Sequence, residues 1–138
     1  MIRAISIVLF FLAIAACEEK HIKEEPFDAF LSKFISEKEF ALERTKVPLS
    51  SYRYEYGVDE NGKDDSAVFE TKVGVDTLEQ QPTLGTYIKT NSLAYEVTSE
   101  NNVQVVKVFK PDTDWLIEYR FEKKEGRWIF VSAHDYSL

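Results

Sequence analysis

The chain has 138 residues, of which 24 are acidic and 17 basic, so its formal net charge at pH 7 is −7. This acidic balance, without a basic cluster, excludes the usual electrostatic footprint of nucleic-acid binding and of adhesion to anionic lipid headgroups. Aromatic residues make up 14% of the chain and supply large core side chains. A core is needed because one cysteine allows no internal disulfide.

The first segment has the parts of a secretory signal: a basic start at Arg3, an uncharged apolar run at residues 4–16, and small residues at its end. The run is too short for a bilayer-spanning helix, which needs about 20 residues. Its end, Ile14-Ala15-Ala16-Cys17, resembles the bacterial lipobox, which implies cleavage before a cysteine that then carries lipid such as palmitate. Lipidation would also remove the hazard of a single exposed thiol. We predict a lipoprotein signal peptide at residues 1–16 and lipidation of Cys17; the alternative is an ordinary secreted protein cleaved at Ala16.

Residues 17–25 are mostly charged and lack a core pattern, which predicts a tether between the lipid anchor and the domain. The anchor makes a membrane the predicted partner and the cell envelope the predicted location, with the outer membrane of a Gram-negative bacterium as the favoured membrane. Glu18 and Glu19 do not decide on which face of the membrane the protein lies. Such acidic residues resemble a surface-export signal in some lineages and an inner-membrane retention signal in others.

Pro26 predicts the start of a helix, where the missing N–H has no cost. The following residues have the spacing of one apolar helix face: Phe27, Phe30, Leu31, Phe34 and Ile35. Ser36 and Glu39 have the spacing of a capping box, so we expect a bend near Ser36 and a second short helix that ends near Thr45.

From Ser51 the apolar period changes to two, which indicates a strand. Asn61-Gly62 predicts a two-residue hairpin turn, which would place Arg53 opposite Glu70 on the next strand. Residues 75–92 have the weakest pattern of the domain, with a short helix as one interpretation of residues 76–81.

Four consecutive antiparallel strands are predicted at residues 93–99, 103–109, 115–122 and 127–134, joined by polar turns. This pairing sets Glu96, Lys107 and Glu118 side by side on one face, which supports the register. The opposite face carries Tyr95, Val97, Val106, Val108, Trp115, Ile117, Tyr119, Phe121, Trp128 and Phe130. Such a large apolar face must be covered, and the phenylalanine-rich helices are the expected cover.

Helices followed by a strongly curved antiparallel sheet resemble the NTF2-like α+β cone. The N-terminal pattern also resembles an uncharacterised family of bacterial lipoproteins, classed as a domain of unknown function, on Phe27, Phe30, Phe34, Phe40, Arg44 and Val47-Pro48-Leu49. Residues 126–131 resemble the last strand of many NTF2-like domains. The resemblance covers most of residues 26–138 and implies N-terminal helices packed on a curved antiparallel sheet, without implying a reaction.

NTF2-like cones often hold a pocket between helices and sheet. On the predicted concave face, the candidate ligand-binding residues are Tyr95, Trp115, Tyr119, Ser132 and His134. Their rings would hold a small apolar or aromatic ligand, which the tyrosine hydroxyls and His134 would orient. The alternative is that these side chains fill the core.

Catalysis is not expected, because a catalytic base would have to face into the cone, where we predict His134 and no carboxylate. Asp135 follows it directly and should point to the opposite face of the strand. No cofactor is expected, and no metal, since residues 59–65 lack the glycine and glutamate positions of a calcium loop. The leading interpretation is a non-catalytic, membrane-anchored protein-interaction module of the cell envelope. An edge strand that begins at Tyr52 would contact an envelope protein or a second copy.

Overall fold

The computed structural model describes residues 23–137. Their elements, in chain order, are α1 (Phe27–Ser36), α2 (Lys38–Glu43), β1 (Thr45–Glu55), β2 (Ala67–Val73), α3 (Val75–Gln80), α4 (Leu84–Thr90), β3 (Ala94–Glu100), β4 (Val103–Phe109), β5 (Leu116–Lys124) and β6 (Arg127–Asp135). The predicted signal peptide, Cys17 and most of the predicted tether lie outside the described residues. Between residues 23 and 137, no helix is both long enough and apolar enough to cross a membrane.

The two N-terminal helices are separated at Glu37, which holds the N-cap position of α2 with an extended backbone. The hydroxyl of Ser36 donates to the carbonyl of Ser32 at 2.7 Å, so it is used inside α1. The expected bend is present, but the capping box is wrong. A serine hydroxyl can satisfy a carbonyl one turn earlier in its own helix, and here that contact replaces the cap.

The six strands form one sheet in the order β2-β1-β6-β5-β4-β3. All neighbours are antiparallel except β1 and β6, which run parallel, so the sheet is mixed and the prediction of a purely antiparallel sheet is wrong. Strand β1, which contains Tyr52, lies inside the sheet and not at its edge. Its alternating pattern predicts a strand but carries no information on which distant strand completes its hydrogen bonds.

The β1–β2 hairpin closes with a loop of three residues, 60–62, in which Gly62 has a φ of 76°. The backbone N–H of Asp59 donates across the base of this loop at 2.8 Å. A type I turn followed by a left-handed glycine produces such loops. Because the loop is one residue longer than expected, the register shifts and Arg53 lies opposite Phe69. The predicted pairing of Arg53 with Glu70 is therefore wrong.

The four C-terminal strands agree closely with the predicted ranges. Glu96 lies opposite Lys107, and Lys107 lies opposite Glu118, as expected. Tyr95 and Val97, placed on the covered face, are nonetheless 44% and 40% exposed, because they belong to edge strand β3.

The core lies between α1 and the inner face of the sheet. Phe121 is fully buried, and its ring centroid lies 5.0–5.6 Å from those of Phe27, Phe30, Phe34 and Phe130. The three contacts with the α1 phenylalanines are edge-to-face, an arrangement that adds stabilisation beyond apolar burial. The expected cover of the aromatic face by the N-terminal helices is confirmed.

Glu25, which the sequence places at the end of the tether, is bound to the domain. Its carboxylate accepts two hydrogen bonds from Arg44, at 2.9 and 3.0 Å, and one from the Trp128 backbone N–H at 3.0 Å. The Trp128 indole N–H donates to the Glu25 carbonyl at 2.9 Å. Arg44 is buried and its guanidinium lies 4.8 Å from the centroid of Phe40. Glu25 therefore already belongs to the folded domain.

Candidate functional site

A bulge in β6 decides which side chains of this strand face the helices. Arg120 lies opposite Ser132 but Phe121 lies opposite Phe130, so Val131 is an extra residue in β6. An extra residue exchanges the two faces for everything after it. Trp128 and Phe130 before the bulge, and Ala133 and Asp135 after it, therefore all face the helices. Ser132 and His134 lie on the outer face.

A cavity of about 350 Å³ lies between this inner face and the helices. Its sheet side consists of Thr45, Leu49, Ser51, Ile117, Tyr119, Phe130, Ala133 and Asp135. Its helix side includes Phe34, Ala41, Leu42, Leu78, Leu84 and Tyr87. The walls are mainly apolar with a few polar groups, and the volume is in the range of pockets that hold small molecules.

Tyr119 is a partly buried polar side chain of this cavity. Its hydroxyl makes no hydrogen bond to any residue between 23 and 137. Burial, and then the nearby Tyr87 and Asp135, raise the pKa of Tyr119 well above the usual tyrosine value. The phenol therefore stays neutral at physiological pH and can both donate and accept a hydrogen bond.

Asp135 brings a carboxylate to the same wall. Its Oδ1 accepts a hydrogen bond from the Ser137 backbone N–H at 2.9 Å. The arginine beside it on β1, Arg53, pairs with Glu55 at 2.7 Å. No basic side chain of the described chain lies within ion-pair distance of Asp135.

Of the five predicted ligand-binding residues, Tyr119 alone lines the main cavity. Tyr95 is exposed at the β3 edge, and Trp115 lines a second, smaller cavity of about 180 Å³ beside Tyr87. Placing Ser132 and His134 on the concave face is wrong, because the bulge turns both outward. Ligand binding by any of the five stays a prediction.

Asp135 and Tyr87 were missed for different reasons. Strict alternation puts Asp135 on the outer face, and nothing local to β6 announces the extra residue at Val131. Tyr87 lies in α4, a short helix within the stretch that has the weakest sequence pattern. The threonine before this helix, Thr83, caps it by accepting from the Thr86 backbone N–H at 3.2 Å, a signal that could have located α4.

On the outer face, the His134 imidazole lies between two hydroxyl groups. Its Nδ1 is 3.0 Å from the Tyr54 hydroxyl and its Nε2 is 3.0 Å from Ser132 Oγ. The ring stacks on Tyr52 at a centroid distance of 4.7 Å. Partial burial, and then the positive charge of Arg120, lower the pKa of His134, which favours the neutral ring. Its partners give His134 a structural role in joining β1 to β6.

Between residues 23 and 137, no three histidine, cysteine, aspartate or glutamate side chains approach closely enough to hold a metal ion. His21 lies outside the described residues.

The comparisons with known proteins concern the fold. No protein-family model and no curated protein matches the sequence, so the resemblance to the lipoprotein family stays a prediction. An NTF2-like protein from Bacteroides fragilis NCTC 9343 is similar with a TM-score of 0.58 at 17% identity, over 84% of this chain and 49% of that chain. The chain thus spans about half the length of that protein.

A de novo designed protein with a curved β-sheet aligns with 80% of this chain and 92% of its own, at a TM-score of 0.45 and 12% identity. That second alignment is too loose to support a conclusion about this chain. The likeness to the Bacteroides protein shows that helices packed on this curved, mixed, six-stranded sheet have an NTF2-like α+β fold.

Proposed function

We propose that the domain binds a small, mainly apolar molecule between its helices and its sheet, without catalysing a reaction on it. The cavity of about 350 Å³ carries this proposal. The space is partly open to solvent, has mainly apolar walls and is large enough for a small molecule, which supports a binding site. The Tyr119 hydroxyl, which is satisfied by no residue in the range 23–137, supplies a polar contact that would orient the ligand.

The absence of catalysis is part of the proposal. A general base works best with a second group that orients it or shares its proton. Asp135 lies at the cavity wall, whereas His134 lies on the other side of the sheet, so the two cannot act together. Tyr119 stays protonated because burial raises its pKa, which suits a hydrogen-bond donor better than a base.

We further propose that lipid on Cys17 holds this pocket in the cell envelope, at the outer membrane of a Gram-negative bacterium. The lipobox pattern supports the anchor. Because Glu25 is bound to Arg44, the proposed tether would be no longer than residues 18–24. Fully extended, such a segment keeps the domain within roughly 30 Å of the anchor.

Replacing Ala133 by leucine should fill part of the cavity and reduce ligand affinity by at least tenfold. Ala133 lies opposite Tyr119 on the neighbouring strand and lines the cavity. Replacing Tyr119 by phenylalanine should weaken binding several-fold, since one hydrogen bond contributes about 1 kcal/mol. A library of small apolar and aromatic compounds, screened by thermal shift and saturation-transfer NMR, supplies the ligands.

The matched control is Tyr95→Phe, which removes the same hydroxyl from an exposed side chain of β3. It should bind as the unaltered protein does. The proposal fails if every compound binds to Ala133→Leu and to Tyr119→Phe with the same affinity as to the unaltered protein, and circular dichroism shows that both variants are folded. Ligands would then not occupy this cavity.

A protein-interaction module is the second candidate, and the edges of the sheet favour it. Val68 and Phe69 on β2 are 58% and 46% exposed, and Tyr95 and Val97 on β3 are similarly open. Edge strands also offer unpaired backbone groups to another chain. The contact would therefore be an edge strand, β2 or β3, with an envelope protein or a second copy, and not β1.

If a second copy pairs with β2, replacing Phe69 by serine should weaken self-association by about tenfold, since it removes a large exposed apolar side chain. Sedimentation velocity over a concentration series measures the effect. Thr71→Ser, on the same face of the same strand, is the control and should associate normally. A protein that is monomeric at every concentration would rule out the homodimer.

A further inference from the structure

We propose that the ligand of this cavity is an amine, in which a cationic nitrogen binds Asp135 and an aliphatic or aromatic body fills the apolar walls. This inference rests on the proposed function and adds the chemical class of the ligand. Four features of the cavity lead to it: the position of Asp135, the lack of an internal cation beside it, the two tyrosines and the volume.

The bulge at Val131 places Asp135 on the inner face, near the end of β6, where it lies opposite Ile117 of β5. The carboxylate accepts one hydrogen bond, from the Ser137 backbone N–H to Oδ1. An ionised carboxylate has about four acceptor positions. Oδ2 makes no hydrogen bond with any residue in 23–137, so most of its capacity is open to a ligand.

Asp135 is only partly buried, so its charge needs no partner within the protein, but a cation bound at these mainly apolar walls would gain a charge-assisted contact with it. Two basic residues are near enough to be considered. Arg53 faces the same side of the sheet but pairs with Glu55 at 2.7 Å. Lys38 also lines the cavity, from exposed α2, but its ammonium is more than 4 Å from any Asp135 oxygen. The cation that complements Asp135 would therefore come with the ligand.

Tyr119 and Tyr87 complete the binding site for a nitrogen. Both line the cavity, and both hydroxyls have lone pairs that can accept from an ammonium group. Their rings also offer electron-rich faces, which attract cations. An alcohol or a hydrocarbon would use the same walls but would leave the carboxylate without its partner.

The volume limits the body of the ligand. At about 30 Å³ for each water-sized atom, a cavity of about 350 Å³ holds roughly a dozen non-hydrogen atoms. Octylamine fits within this limit. Octanol and octanoate have the same hydrocarbon chain but carry a neutral or an anionic head, so the three compounds separate charge from apolar burial.

The experiment measures the affinity of octylamine, octanol and octanoate by isothermal titration calorimetry at neutral pH, where the amine is cationic. We expect octylamine to bind at least tenfold more tightly than octanol, the scale of one charge-assisted hydrogen bond. Asp135→Asn, which keeps the shape and removes the charge, should abolish this preference. Asp112→Asn, a neutralised carboxylate in the exposed β4–β5 turn, is the control and should keep the preference.

The outcomes separate this inference from the proposed function. If octanol binds and octylamine binds no more tightly, or if the preference survives Asp135→Asn, the amine proposal is overturned while ligand binding in the cavity stands. If octanoate binds most tightly, the charge contact belongs to Lys38, and the amine proposal is also overturned. If none of the three binds and the library screen yields no ligand sensitive to Ala133→Leu, the proposed function fails as well.

Discussion

Replacing Cys17 by serine should abolish lipid attachment, because serine has no thiol to which the lipid can be joined. Each buried methylene of an acyl chain contributes about 0.8 kcal/mol to membrane binding, and two or three chains hold a protein essentially permanently. In a Gram-negative host grown with radiolabelled palmitate, the unaltered protein should carry the label and stay with the membrane after a carbonate wash. The Cys17→Ser variant should carry none.

A second variant separates the anchor from the signal peptide, because an unprocessed precursor would keep its own apolar run. Residues 1–17 are exchanged for a signal that is cleaved without lipidation, and this protein should appear in the soluble periplasmic fraction. His21→Ser is the control within the predicted tether and should keep the label. Unchanged palmitate incorporation in Cys17→Ser would contradict the lipoprotein prediction.

Replacing Arg44 by methionine should lower the free energy of unfolding by about 2 kcal/mol, because it removes the charge-assisted hydrogen bonds of a buried guanidinium to the partly buried Glu25 carboxylate. Arg44 donates to Glu25 and to the Trp128 carbonyl. Urea unfolding followed by tryptophan fluorescence measures the change. In a double-mutant cycle with Glu25→Gln, the second substitution should add little, because both remove the same interaction.

Acid titration gives this pair a second signature. Hydrogen bonding from Arg44 lowers the pKa of Glu25 below its ordinary value of 4.5. The folded pKa is thus below the unfolded one, so the contribution is present above the unfolded value and is lost as pH falls through the folded value. As the pH is lowered below about 4.5, the free energy of unfolding should therefore fall less steeply for Arg44→Met than for the unaltered protein.

The matched control is Arg53→Met, which breaks the exposed pair with Glu55 and should cost less than about 1 kcal/mol. If Arg44→Met and Arg53→Met lower the free energy of unfolding by the same amount, the Glu25 contact does not fasten the N-terminal segment to the domain.

The elements that local patterns specify could be predicted. The spacing of Phe27, Phe30 and Phe34 predicted α1, because a helix repeats every 3.6 residues and these side chains must share one face. The charges at Glu96, Lys107 and Glu118 predicted the register of β3, β4 and β5, because short turns join these strands and fix their pairing. In both cases the partners are close in sequence, or joined by a turn of known geometry.

The candidate site was predicted less well. Tyr119 faces the cavity as expected, since β5 has no irregularity before it. Ser132 and His134 are misplaced because one extra residue at Val131 reverses the alternation that the prediction used. The pairing of β1 with β6 was also missed, because a parallel contact between the first and last strands is set by packing of the whole domain.

The sequence by itself predicted the N-terminal helices and the aromatic sheet face that they cover, because both depend on local spacing and composition; the anchor at Cys17 stays a prediction. Tertiary structure alone decided that the sheet is mixed, that Glu25 is fastened by Arg44, and that Asp135 and not His134 reaches the cavity. These features depend on which distant residues meet, and in β6 on a single unpaired residue. The alternating pattern of a strand does not reveal such a bulge, because a residue is extra only relative to the strand that pairs with it.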